Sequence, residues 1–189
     1  MTVVFLVLLA VVVLWVISAY NSLIALKNQT VNAWKQIDVQ LKRRHDLIPN
    51  LVNAVKGQMD FEKSTLEAVI SARARAVGAT GVAATAKAEG ELSQALGRLF
   101  ALAENYPDLK SSANVLQLQE ELSSTENKIG FARQLYNDVA TQYNTRQAQF
   151  PTNLVAGLAK ATPAELWEIT AAAERQVPTV DLSLNRPAS

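Results

Sequence analysis

TVVFLVLLAVVVLWVISAY, residues Thr2 to Tyr20, decides the fold. Fifteen consecutive apolar residues run from Val3 to Ile17, only Ser18 interrupts before Ala19 and Tyr20, and no charged side chain appears until Lys27. In hydrocarbon every backbone N–H and C=O must find its partner within the segment, so such a run forms a helix. Eighteen residues at about 1.5 Å each give about 27 Å, enough for a thin bilayer core crossed with little tilt. Trp15 and Tyr20 lie near one end, where amphipathic rings favour the headgroup level. A cleaved leader would carry a basic start, a shorter apolar run and small residues at the cut. Here the start is Met1-Thr2, and a cut after Ala19 would leave bulky Ile17 three places back. A soluble core helix would show a polar face, and this stretch has none. Residues 1–20 therefore read as a retained transmembrane anchor.

Beyond the anchor, the 189 residues leave one helical domain of ordinary size, with 49% apolar content to fill its core. With no cysteine, the chain has no disulfide, no thiolate nucleophile, no thiolate zinc site and no lipidated cysteine. A net charge of +1 is poor for nucleic-acid binding, and no nucleic acid is expected as a partner. The distribution says more: residues 20–77 carry nine basic against five acidic side chains, 78–150 six against eight, and 151–189 three against four. Positive charge after the anchor and none on side chains before it places the amino end outside and the domain in the cytoplasm.

Leu23, Leu26, Val31, Trp34, Ile37 and Leu41 continue the anchor as a helical stripe, with no Gly or Pro before Leu47. Pro49 is the first break, and Asp46 could cap a new helix there. Val52, Val55, Met59, Leu66, Val69 and Ala76 form the next stripe, ended by Gly78-Ala79-Thr80-Gly81. A third helix covers 83–104, where Gly90 and Gly97 suggest a close helix contact. A fourth runs from Ser111 or Ser112 to Phe150, stopped by Pro151. Reversal at Pro49 gives four helices of about 28, 27, 22 and 38 residues, an all-α, up-down-up-down bundle over 21–151 whose last helix returns towards the membrane. In the tail, 152–189, Thr162-Pro163-Ala164-Glu165 has capping-box spacing and predicts a short helix over 163–175. Its Leu166, Trp167 and Ile169 could meet headgroups, another subunit or the chain's own bundle. Residues 177–182 read as extended.

The chemistry-bearing motifs are missing. The single histidine, His45, lies among Arg43, Arg44 and Asp46 and reads as a solvated side chain. No H-E-x-x-H, G-x-G-x-x-G or P-loop occurs. No catalytic, cofactor-binding or metal-ligating residue is assigned, and no cofactor is expected. Lys42-Arg43-Arg44 has three readings: a solvated face, attraction to anionic headgroups, or a pair with Asp38, Asp46 or an acidic residue of the last helix such as Asp138.

Several blocks carry a resemblance: Tyr20-Asn21-Ser22-Leu23; Trp34 to Asp38; Arg43-Arg44-His45-Asp46-Leu47-Ile48-Pro49-Asn50; Tyr106-Pro107-Asp108; and Tyr136-Asn137-Asp138 with Tyr143-Asn144. Across about residues 3 to 160 the sequence resembles the LemA family of bacterial membrane proteins. That resemblance implies a helical bundle on one N-terminal span in the bacterial cytoplasmic (inner) membrane, and it does not imply an activity. It assigns no role to Tyr20, Asn21, Trp34, Asp38, Arg43, Arg44, Asp46, Pro49, Asn50, Tyr106, Pro107, Tyr136, Asn137 or Asp138, which could simply tie helices together. Expected partners are the lipid bilayer, further copies of the chain and other membrane proteins. The leading expectation is a self-associating, non-enzymatic scaffold that organises the membrane, and the alternative is an adaptor docking a protein partner.

Overall fold

The structure, a computed structural model, describes residues 1–57 and 62–168. Among the described residues the regular elements are six α-helices: α1 (Thr2–Lys56), α2 (Lys63–Gly78), α3 (Val82–Ala103), α4 (Pro107–Ser111), α5 (Ala113–Ala148) and α6 (Thr152–Leu158). The all-α reading holds. The first 18 residues stand clear of the rest of the protein except at half-buried Val16, and burial begins at Ala19. By length and composition α1 is the one described helix fit to cross a membrane, with a mean hydropathy of 3.0 over its most apolar window.

The expected reversal at Pro49 does not occur. α1 passes through the proline without ending. Proline cannot donate to the carbonyl four residues back, that of His45, and leaves it without its helical partner. Arg73 of α2 donates its Nε–H to that oxygen at 2.7 Å. A side chain from the next helix thus replaces the missing bond, and the turn falls after Gly57 instead. From Ala19 to Lys56 α1 is about 57 Å long, and the 36 residues of α5 give about 54 Å. The two helices therefore match along nearly their whole soluble length, antiparallel, with Trp34 beside Tyr136 and Arg44 beside Glu126.

Three apolar clusters follow one another along this pair. The cluster farthest from the anchor joins all the longer helices: Ile48, Leu51 and Val55 of α1, Val69 of α2, Leu92 and Leu99 of α3, and Leu122 of α5. The middle one holds Ile37 and Leu41 against Ile129, Tyr136 and Ala140. Nearest the anchor, Leu23 packs on Tyr143 and on Ala156 of α6. The four-helix section is thus confined to the far half, and the near half is an α1–α5 hairpin braced by α6 and the segment after it. α6 itself had no counterpart in the sequence reading.

Gly81, at φ +84°, lies where side chains are disfavoured and sets the sharp α2–α3 turn. Gly90 and Gly97 do not mark a close contact: a Cβ at either would meet nothing within 4 Å. They line open clefts beside α3 rather than its buried seam.

Candidate functional site: a buried arginine network and a clasped tail

Halfway along the bundle, Arg44 is 4% exposed. Its Nη1 lies 3.3 Å from Glu89 Oε2 and 3.0 Å from Glu126 Oε2, and its Nη2 donates to Ser93 Oγ at 2.8 Å. Glu89, 3% exposed, turns its other oxygen to His45 Nε2 at 2.6 Å. The guanidinium fork suits this role, because it can serve two carboxylates and a hydroxyl at once. Burying such charges is costly unless they are paired and hydrogen-bonded, and here they are. The network ties α1, α3 and α5 together at the border between the far and middle clusters.

Two sequence readings change here. His45 is not a solvated side chain: its imidazole is only 12% exposed and bonds Glu89. The carboxylate that recruits it comes from a helix more than 40 residues away, so His45's own neighbours gave no sign of it. Of the three readings of Lys42-Arg43-Arg44, interhelical pairing describes Arg44, with Glu89 and Glu126 as its partners. Lys42, Arg43, Asp38, Asp46 and Asp138 are exposed. An open cleft of about 440 Å³ beside the network is lined by Arg44, Glu89, Glu126, Arg133 and Trp167. Arg44, Glu89 and Glu126 already answer one another within the protein rather than converging on a vacant point. Among the described residues no three His, Cys, Asp or Glu side chains gather into a metal-binding group.

The second constellation is at the tail. The helix expected over 163–175 is absent from its described part: residues 161–168 are non-helical, and 169–175, with Ile169, lie outside the described residues, as does the stretch 177–182 read as extended. Two asparagine amides of α5 hold the backbone instead. Asn144 Oδ1 accepts from the Ala164 N–H at 2.7 Å while its Nδ2 donates to the Ala164 carbonyl at 2.8 Å. Asn137 treats Trp167 the same way, at 2.9 and 3.0 Å. The spacing explains the match. Seven residues of α-helix rise about 10.5 Å, and three residues of extended chain span about 10 Å, so amides two turns apart meet residues 164 and 167 in register. These bonds outcompete the local capping signal at Thr162 and Glu165.

Tyr136 Oη adds a bond to the Glu165 carbonyl at 2.6 Å. Burial, and secondarily the Glu165 carboxylate, raise the pKa of this hydroxyl above its ordinary 10.0. Trp167, 5% exposed, seats its ring 5.9 Å from that of Trp34, which meets Tyr136 edge-on at 5.4 Å. Arg133 lies over the Trp167 ring at 5.3 Å. Of the three destinations read from sequence for Trp167, the structure shows the chain's own bundle, while Leu166 points outward.

The remaining motif residues separate by position. Trp15 and Tyr20 are outward-facing near the carboxyl end of the apolar run, and Asn21 and Asn50 are exposed. Tyr106 bonds Glu62 at 3.5 Å, and Pro107 opens α4. Trp34, Arg44, Pro49, Tyr136 and Asn137 each make or permit a contact between elements. Such a set of blocks, arranged around one hairpin, points to a shared fold. The LemA family pattern matches residues 33–182. The chain belongs to the LemA family.

Its LemA relatives include a protein named LemA from Metamycoplasma hominis, 31% identical over 138 residues, an alignment covering 72% of this chain and 63% of that protein. Two magnetosome proteins named MamQ from Paramagnetospirillum magneticum are 24% identical over 189 residues, covering 86% of this chain and 70% of theirs. The chain thus spans less than two thirds of the mycoplasma LemA protein. Family membership and an apolar N-terminal helix fit for single-pass anchoring together describe a membrane-associated helical protein.

Proposed function

We propose that this chain is a non-enzymatic scaffold, anchored in the bacterial cytoplasmic membrane by α1, whose copies associate side by side in the membrane plane. One observation carries the reading. On the outer face of the α1–α5 hairpin, Val39, Phe131 and Leu135 are 63%, 74% and 43% exposed and line one shallow groove with Ala132, rimmed by Lys35 and Lys128. An apolar strip with a charged rim on the side of a rod marks a contact surface. Because α1 continues from the span into the hairpin, that strip faces neighbours anchored in the same sheet of lipid. Anchoring raises their effective concentration, so a modest contact suffices. Similarity to proteins named for the magnetosome supports the membrane setting. Lys27 and Lys35, the first charged side chains after the span, support a cytoplasmic hairpin.

The test uses the natural lack of cysteine. Phe131→Cys in the full chain, reconstituted in bilayers and oxidised, gives a covalent dimer. Cysteine in place of exposed Asn114, near the far end, does not. Equal yields at both positions, or none at either, overturn the assignment.

A further inference from the structure

We propose that α6 is a membrane foot: Phe150, Leu154 and Leu158 lie in the boundary between headgroups and acyl chains, and the near end of the bundle rests on an anionic lipid surface. Three observations support it. First, α6 directs large apolar side chains outward as well as inward. Its inner face, Thr152, Val155 and Ala156, is buried at 3%, 2% and 8%, with Ala156 against Leu23, while Phe150, Leu154 and Leu158 point outward at 80%, 65% and 76% exposure. Asn153 is the one polar side chain exposed within α6, whereas a short helix on a water-facing surface would carry polar residues along its whole outer side. Residues 154 and 158 share one face, and Phe150 leads into it.

Second, this face sits at the level where the span ends. The antiparallel register that sets Trp34 beside Tyr136 and Arg44 beside Glu126 brings Phe150 level with Tyr20. Val16 and Ala19 lose exposure there. The turn into α6 thus reaches the last residues of the apolar run, where the lipid boundary must be.

Third, the charges are segregated. Residues 2–34 and 139–164 contain no Asp or Glu, and their charged side chains are Lys27, Arg146 and Lys160. All three are exposed. Cations flanking an inserted apolar face are the pattern of a helix lying in the interface, with each basic group attracted to anionic headgroups.

The inference depends on the span lying in lipid, and the experiment separates the two. Spin labels are placed singly at Leu9→Cys, Leu154→Cys, Leu158→Cys and Asn114→Cys of the full chain, in vesicles of phosphatidylcholine with and without phosphatidylglycerol. Collisions with oxygen, which partitions into lipid, are compared with those of a water-soluble nickel chelate. The foot predicts lipid-like accessibility at 9, shallow lipid-like accessibility at 154 and 158 that deepens with phosphatidylglycerol, and aqueous accessibility at 114. Labels at 154 and 158 matching 114 while 9 stays in lipid overturn the foot and leave the anchor. An aqueous label at 9 overturns both. Shielding at 154 that appears only as protein density rises assigns the face to another copy and overturns the lipid contact.

Discussion

Replacing Asn137 by alanine is the sharpest perturbation of the clasped tail. It deletes the bonds of 2.9 and 3.0 Å that hold both backbone groups of Trp167. Each bond is worth about 0.5–1.5 kcal/mol net, and a Trp167 N–H left dry beside a buried indole adds to the loss. Together the cost is about 2–3 kcal/mol, which falls on opening of residues 161–168 rather than on the whole bundle, because the three apolar clusters keep most of their contacts. At 1.4 kcal/mol per factor of ten, the protected amides of that segment should exchange about 30- to 140-fold faster. The assay is hydrogen exchange by mass spectrometry on the full chain in bilayer discs, comparing the peptide over 161–168 with peptides from α2 and α3. Asn144→Ala should act similarly through Ala164, and Asp138→Ala, one residue along but exposed, should change nothing. Unchanged exchange in Asn137→Ala, or the same acceleration in Asp138→Ala, would refute the clasp.

Three further outcomes follow from the buried groups. Glu89→Ala removes the buried carboxylate shared by Arg44 and His45, leaves Arg44 with Glu126 and Ser93, and should lower stability by about 1–3 kcal/mol, whereas Glu126→Ala, removing a partner that is 46% exposed, should cost under about 1 kcal/mol; urea unfolding in micelles distinguishes them. Arg73→Ala leaves the His45 carbonyl dry and should cost about 1–3 kcal/mol, but much less in a Pro49→Ala background, where the restored amide at position 49 can take that carbonyl back. Tyr136 has a raised pKa in the folded state, so it holds its proton longer when folded than unfolded. Its contribution is fully present below the ordinary tyrosine value and is lost as pH rises through the folded one. Tyr136→Phe should flatten that alkaline part of the stability profile.

The features legible in the sequence depend on neighbours along the chain. Fifteen apolar residues announce a span without any tertiary help, and the Gly78–Gly81 turn and the long α5 ending near Pro151 follow from local punctuation. The misreadings share another cause. Whether Pro49 breaks or merely marks a helix depends on Arg73, 24 residues on, supplying a bond that no local pattern encodes. Glu89 decides the state of His45 from a separate helix. At Thr162 a sound capping box loses to Asn137 and Asn144, whose spacing of seven residues was visible but has meaning only once an extended partner is known. For the candidate contact surfaces, Phe131 and Leu154 sit in sequences indistinguishable from core helix. Only the fold shows that they face outward.

The scaffold reading is tested most directly by counting copies in a bilayer. The full chain, labelled once at its carboxyl terminus and reconstituted at low density, is watched by single-molecule photobleaching. Particles losing fluorescence in several steps, reduced to one step by Phe131→Glu with Leu135→Glu, are the predicted result. Single-step particles at every density, or multi-step particles indifferent to both substitutions, would contradict it.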